Sequence, residues 1–293
     1  MASSSSGKKV VASTQPAADA GGPVWQPQPQ DKAKANQLRL IAVIAWVLAI
    51  AVECVAIFGL IVKRPVQVDT GNGPANSYPF FGAMLSQNAY FGWLIALIIV
   101  AGILAIFGSL VWKKANRLDP ASRAEPVRFF LQNQLGAIIS VIAFLPLLIL
   151  VILDKNLQGA QKGIAVAIAA IVLAGSTAAG TTINAPSQEQ YATETAVVMA
   201  INGKDEVFWV KGGSTYHLCS ASSDLNRPSK DNQIYSGTVG QAHGAGMSRL
   251  AQRNECGCDN TGGSGTCGIT PGGTAPSTTA PSTTAPAPSQ SSS

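Results

Sequence analysis

Large hydrophobic side chains are concentrated in four long blocks of this chain and are sparse between them. The blocks cover about residues 40–62, 90–112, 135–153 and 163–183. A helix of about 20 apolar residues, rising about 1.5 Å per residue, is long enough to cross the hydrocarbon core of a bilayer. The pattern therefore predicts an all-α membrane bundle of four transmembrane helices in residues 39–184.

The fourth block is the least apolar, because its second half reads GSTAAGTTI. Its small residues are spaced four apart, Gly175 with Ala179 and Ser176 with Gly180, which suits close packing against a neighbouring helix. In the third block, Pro146 is expected to kink the helix. Two topologies remain open: four spans if the fourth block crosses the membrane, and three spans, with everything after it outside the cell, if it does not.

The segments outside the blocks differ in composition. Residues 1–38 are rich in Ser, Ala, Pro and Gln, and residues 259–293 are Gly-rich and then Pro/Thr/Ser-rich. Such segments bury too little apolar surface to fold, so both are predicted to be disordered tails. In the loop between the second and third blocks, Asp119 precedes Pro120, which predicts the start of a short surface helix.

Residues 187–258 carry the signals of a small α+β domain. Ser187 with Gln190 and Thr238 with Gln241 have the spacing of helix capping boxes. Between them, VFWVK and STYHL flank two glycines and predict a hairpin, and QIYSG predicts a third short strand. A domain of this size needs additional stabilisation.

Positive charge is distributed unevenly about the four blocks. The chain has 20 Lys and Arg against 15 Asp and Glu. Lys and Arg near the ends of spans stay on the cytoplasmic side. Four crossings put eight of these residues on one side and four on the other. The eight are Lys32, Lys34, Arg39, Lys113, Lys114, Arg117, Arg123 and Arg128; the four are Lys63, Arg64, Lys155 and Lys162. The count predicts a multi-pass protein of the cell (plasma) membrane with both termini in the cytoplasm.

Glu53 is a charged residue inside the first block. An acidic side chain near the middle of a span costs about 2.5–3.5 kcal/mol on insertion scales, so it is a functional candidate by default. One interpretation makes it part of an ion or substrate path in a transporter or channel. The other makes it a neutral carboxyl that joins two helices through Ser109 or Ser140, and it is favoured because the central parts of the spans hold no second charged residue.

One histidine and three cysteines are candidate stabilising groups in the C-terminal domain. His217 and Cys219 lie two apart on a predicted strand, and Cys256 and Cys258 follow the second predicted helix. Together they have the ligand types of a tetrahedral zinc site, with zinc as the cofactor. A disulfide from Cys219 to Cys256 or Cys258, and unpaired thiols, are the alternatives. His243 is expected to be a surface or packing residue.

The runs EVFWVKGGSTYHLCSASSDLNR, DNQIYSGTVGQAHGAGMSRL and ECGC carry a resemblance. Together with the preceding spans, over about residues 38–258, the chain resembles uncharacterised multi-pass membrane proteins of actinobacterial type. That resemblance implies a bacterial membrane protein and no particular activity. More distantly, the cysteine and histidine layout is similar to that of small cysteine modules attached to bacterial nucleases and DNA-repair proteins, which implies metal binding.

The sequence contains no complete catalytic constellation. There is no paired nucleophile and base, no phosphate-binding glycine loop and no pair of carboxylates in the C-terminal domain. The domain's charges are nearly balanced, so nucleic acid is not an expected partner. The sequence therefore favours a non-enzymatic protein that contacts lipid and anchors an interaction or sensing domain, with a protein as that domain's partner. A transporter or channel using Glu53, and a membrane-tethered module for nucleic-acid or redox chemistry, are the alternatives.

Overall fold

The computed structural model describes residues 10–12, 25–69, 71 and 73–251 of the chain. Four of its helices are long and apolar enough to cross a membrane. They are α1, Pro29–Ala56, which continues as a π-helical turn over Ile57–Ile61; α2, Gln87–Leu118; α3, Pro126–Leu153; and α4, Gly159–Gly180. The predicted bundle of four membrane helices followed by a small mixed domain is confirmed, and the weak fourth block is helical.

The helices extend beyond the apolar blocks from which they were predicted. Helix α2 has 32 residues, so at about 1.5 Å per residue it exceeds the roughly 30 Å of a bilayer's hydrocarbon core. Helix α3 begins at Pro126, which suits a first helical turn because proline's missing N–H needs no partner there. Asp119 ends α2 instead of starting a surface helix. The prediction of a helix beginning there is wrong. The N–H of Asp119 donates to the carbonyl of Ala115 and closes the last turn of α2, and its carboxylate accepts a hydrogen bond from Arg39 at 2.7 Å instead of capping a new helix.

Small residues let the helices of the bundle approach closely. A Cβ atom at Gly108 would lie 2.7 Å from the indole nitrogen of Trp46 on α1. At the end of α4, a Cβ atom at Gly180 would overlap the backbone of Gly136 and Ala137. Ser176, one turn earlier, is buried. Of the two predicted small-residue pairs, Ser176 with Gly180 therefore forms the packing face.

A three-stranded antiparallel sheet connects α1 to α2. Its strands are β2, Val66–Asp69; β3, Pro74–Phe80; and β4, Ala83–Leu85. The ring of Tyr78 packs on that of Tyr90 with centroids 4.5 Å apart. The hydroxyl of Tyr90 donates to Asp154 at 2.6 Å, which joins the start of α2 to the loop after α3.

The domain after α4 is small and mixed. Its elements are α5, Gln188–Asn202; β5, Val207–Val210; β6, Thr215–Tyr216; β7, Ile234–Gly237; α6, Val239–Gly244; and β8, Arg249–Leu250. Ser187 accepts from the backbone N–H of Gln190, and Thr238 with Gln241 forms a complete capping box, so both predicted helix starts are confirmed. Strand β7 pairs antiparallel with β5, and β6 pairs parallel with β8.

The N-terminal segment differs from the disordered tail predicted for residues 1–38. Strand β1, Val10–Ala12, pairs parallel with β7. Trp25 meets Tyr191 edge to face at 4.9 Å and packs over Gly240, where a Cβ atom would lie 2.7 Å from the indole. The predicted C-terminal tail, residues 259–293, lies outside the described residues.

Candidate functional site at the junction of bundle and domain

The C-terminal domain contacts the end of the bundle where α1 begins and α2 ends. The Tyr191 hydroxyl donates to the carbonyl of Arg117 at 2.9 Å, and the N–H of Gln188 donates to the carbonyl of Ala121 at 3.3 Å. On α6, a Cβ atom at Gly244 would lie 2.5 Å from the Leu118 side chain. These contacts involve α5 and α6 together, so the domain is held by more than its linker.

The loop between α2 and α3 adds a charged contact. Glu189, on the first turn of α5, accepts hydrogen bonds from the Ser122 hydroxyl and from the backbone N–H of Arg123, the latter at 2.9 Å. Burial raises the pKa of Glu189, but these hydrogen bonds outweigh it and bring the pKa to about 2. Glu189 is therefore ionised at neutral pH and ties the loop to the domain.

A cluster of side chains centred on Glu194 lies inside the domain and adjoins these contacts through Tyr191. Its Oε2 atom accepts a hydrogen bond from the Tyr216 hydroxyl at 2.5 Å and lies 2.5 Å from Nε2 of His243. The other ring nitrogen, Nδ1, lies 3.0 Å from the carbonyl oxygen of Met247. Tyr191 stacks on the imidazole with centroids 4.0 Å apart. Both ring nitrogens of His243 therefore lie within hydrogen-bond distance of oxygen atoms.

Electrostatics hold the Glu194 carboxylate in its charged form. Burial raises its pKa, but hydrogen bonds from His243, Tyr216 and Gln190 outweigh that effect, so the pKa lies below its ordinary value. Burial and the adjacent carboxylate both raise the pKa of Tyr216, so its hydroxyl stays protonated and acts as the donor. The cluster joins α5, β6 and α6. The prediction that His243 is a surface or packing residue holds only for packing, since 3% of the residue is exposed.

A cleft of about 660 Å³ opens between the bundle end and the domain. Three arginines from different parts of the chain line it: Arg117 at the end of α2, Arg123 in the following loop, and Arg249 in β8. The remaining lining is partly polar and partly apolar, and includes Phe130, Asn133, Thr182, Ile183, His243 and Met247.

The predicted zinc ligands are only partly described. His217 is buried, and its Nδ1 lies 3.2 Å from the Ser222 hydroxyl oxygen. Cys219 is disulfide-bonded, and a sulfur in a disulfide has no thiolate to offer a metal. Cys256 and Cys258 lie outside the described residues. Within the described ranges, no cluster of three or more His, Cys, Asp or Glu side chains could hold a metal ion. The four-ligand site therefore stays a prediction.

Glu53 lies within α1 and only 4% of it is exposed. Among the described residues its Oε1 atom has no hydrogen-bond partner, and neither has the Ser109 hydroxyl. Ser140 donates to the carbonyl of Gly136 in its own helix at 2.8 Å. The structure thus gives Glu53 neither of the two serine partners considered for it.

Sequence reasoning missed the junction itself. Glu194 and His243 are 49 residues apart, and neither belongs to a motif that predicts the contact. On sequence alone, Arg117 and Arg123 bear only on the orientation of the spans. Comparison of the chain with protein-family models, with curated proteins and with solved structures finds no match.

Proposed function

We propose that this chain is a non-enzymatic, multi-pass membrane protein whose C-terminal domain is an interaction or sensing module docked on its own membrane bundle. The observation that carries the proposal is the junction, where α5 and α6 contact the end of α2 and the following loop through Tyr191, Gln188 and Gly244. In a domain docked in this way, a conformational change caused by a partner at its surface can alter the position of the membrane helices that it contacts.

The contacts beneath the junction support coupling rather than simple tethering. The Glu194 cluster connects α5, the helix that follows the last membrane span, to α6, the helix that packs on Leu118. Trp25, which precedes α1, packs on both of these helices. A partner that displaces α6 therefore acts on residues adjoining both α1 and α2. A protein partner for the domain fits this arrangement.

The proposed location is the plasma membrane of a bacterial cell, with the domain in the cytoplasm. The contacts place Arg39, the α2–α3 loop and the domain at one end of the bundle. That end holds most of the Lys and Arg that flank the spans, and such residues remain cytoplasmic.

Docking is tested by adding bulk at the contact. Gly244→Leu places a side chain against Leu118 and is expected to release α6 from α2, whereas Ala245→Leu introduces the same side chain at the next, exposed position. Hydrogen exchange of the full chain in nanodiscs is the measurement. The amide of Gln188, whose N–H donates to the carbonyl of Ala121, should exchange at least about tenfold faster in Gly244→Leu alone. Fast exchange of this amide in the wild-type protein would show that the domain is not docked.

A transporter or channel function is the second candidate, and the burial of Glu53 with an unpartnered carboxyl oxygen favours it. Burying a polar atom without a hydrogen bond costs free energy, and such costs are often retained for function. Glu53→Gln keeps the shape of the side chain and removes its charge. Loss of ion or solute flux in vesicles containing this variant would support the candidate, and unchanged flux would eliminate it.

A further inference from the structure

The three arginines of the cleft form no ion pair with any carboxylate in the described part of the chain. The residues Arg117, Arg123 and Arg249 are exposed, and no described carboxylate lies within ion-pair distance of their guanidinium groups. The described residues that line the cleft include no Asp or Glu. Three positive charges around one opening attract anions to it.

The carboxylates on the adjoining helix are already engaged. Glu189 accepts hydrogen bonds from Ser122 and from the N–H of Arg123, and Glu194 is bonded to His243 and Tyr216. Rotating either toward the arginines would break these hydrogen bonds. Among the described residues, these two carboxylates therefore do not neutralise the positive charge of the cleft.

The cleft also offers hydrogen-bonding groups that the described chain leaves unsatisfied. Asn133 and Thr182 line it, and the side-chain oxygen of each is buried without a partner among the described residues. A carboxamide oxygen needs a donor, and a threonine hydroxyl can donate or accept. A ligand that carries both an anionic oxygen and a hydroxyl group would satisfy all of these requirements.

The apolar part of the lining indicates which anion fits. Phe130 is 58% exposed and Ile183 is 91% exposed, although both lie beside the membrane-spanning parts of α3 and α4. Large apolar groups exposed at this level are expected to contact acyl chains. A soluble anion would leave them uncovered, whereas a lipid would cover them and fill the charged part of the cleft with its headgroup.

We propose that the cleft binds the headgroup of an anionic phospholipid, with the phosphate among Arg117, Arg123 and Arg249 and the acyl chains along Phe130 and Ile183. Guanidinium groups bind phosphate oxygens in paired, charge-assisted hydrogen bonds. The site rests on the docked arrangement proposed above, because Arg249 belongs to the domain and the other two arginines to the bundle end. A bound lipid therefore holds the two parts together.

The test measures lipid retention by the purified full chain in detergent, using native mass spectrometry. Phosphatidylglycerol and phosphatidylcholine are added in separate arms, and inorganic phosphate in a third. The test variant is Arg117→Gln/Arg123→Gln/Arg249→Gln. Its control, Lys114→Gln/Lys204→Gln/Lys211→Gln, removes the same charge from exposed positions outside the cleft.

The wild type and the control should retain one phosphatidylglycerol with at least about tenfold preference over phosphatidylcholine, and the arginine variant should lose that preference. If the triple variant unfolds, single variants at Arg123 and Arg249 replace it in the test. Each is expected to bind phosphatidylglycerol about fivefold more weakly than the wild type. Equal retention by variant and wild type would overturn the proposal. Binding of inorganic phosphate without a preference between the lipids would also overturn it, in favour of a soluble phosphate ligand.

Hydrogen exchange at the Gln188 amide separates this outcome from a failure of docking. Slow exchange together with no preference for phosphatidylglycerol would contradict the lipid site and support the docked domain. Fast exchange in the wild-type protein would contradict both proposals.

Discussion

Glu194 connects three elements of the C-terminal domain through its hydrogen bonds. Its carboxylate is bonded to side chains of β6 and α6 while its own backbone belongs to α5. Because hydrogen bonds to a buried charge contribute more than neutral ones, removing this charge leaves Tyr216 and His243 poorly matched.

Glu194→Gln is expected to lower the free energy of unfolding of the domain by about 1–3 kcal/mol at neutral pH. Urea unfolding of the full chain in detergent, followed by tryptophan fluorescence, measures it. The matched control is Glu206→Gln, whose surface pair with Lys204 should contribute less than about 1 kcal/mol. Equal losses in the two variants would contradict the role given to the cluster.

The pH dependence of that loss follows from the pKa of Glu194. The folded-state pKa lies below the ordinary value of 4.5, so the folded state favours the ionised form. Its contribution to stability is therefore present above about pH 4.5 and disappears as pH falls through the lowered folded-state pKa. The stability difference between the wild type and Glu194→Gln should shrink below about pH 4.5. A difference that grew in acid would be inconsistent with a lowered pKa.

Substitution of Cys219 tests whether a disulfide or a metal stabilises the small domain. Because Cys219 is disulfide-bonded, Cys219→Ser should lower the unfolding free energy of the oxidised protein by about 2–4 kcal/mol and have little effect on the fully reduced protein. Denaturant unfolding with and without reductant is the measurement. An equal loss in both conditions, with zinc bound to the reduced wild type, would favour the metal site.

At the scale of the helices, close packing is concentrated at a few small residues. Gly180 and Gly175 lie on the same helix, but only Gly180 meets a neighbouring backbone, and nothing lies within 4 Å of a Cβ atom at Gly175. Substituting alanine at each position therefore distinguishes the effect of helix propensity, which acts at both, from the effect of packing, which acts only at Gly180.

Gly180→Ala is expected to destabilise the bundle, because the added Cβ would overlap the backbone of Gly136 and Ala137. The cost should be about 1–3 kcal/mol. Gly175→Ala should instead be neutral or stabilise by up to about 1 kcal/mol, because alanine is the better helix former. Unfolding of the full chain by SDS in mixed micelles measures both. A larger loss in Gly175→Ala would contradict the packing described for α4.

Helix content was predictable because its causes are local. Twenty-residue apolar blocks predict spans, and the cap at Ser187 depends on a residue three positions away. The starts of α1 and α3 could not be read from the apolar blocks. The first turns of α1 are polar, and in α3 the polar run QNQ separates the first turns from the apolar block. The Glu194 cluster and the arginine cleft depend on how distant segments pack, and one sequence gives no signal for that.

At the scale of the whole molecule, two features bear on the compartment of the domain, and they favour different ones. The Lys and Arg around the spans favour the cytoplasm, whereas disulfides persist in oxidising compartments. In the proposed orientation the bond at Cys219 faces a reducing environment, so the stability of the domain would follow the cell's thiol state. The same bond would be permanent if the orientation were reversed.

The location of the domain relative to the four spans is the central claim, and modification of the native lysines tests it most directly. An impermeant amine-reactive reagent is applied to intact cells and the modified peptides are identified by mass spectrometry. Lys63 and Lys155, at the end of the bundle away from the domain, should react. Lys114, Lys204 and Lys211 should react only after the membrane is opened. Reaction of Lys204 and Lys211 in intact cells together with Lys63 and Lys155 would contradict the account.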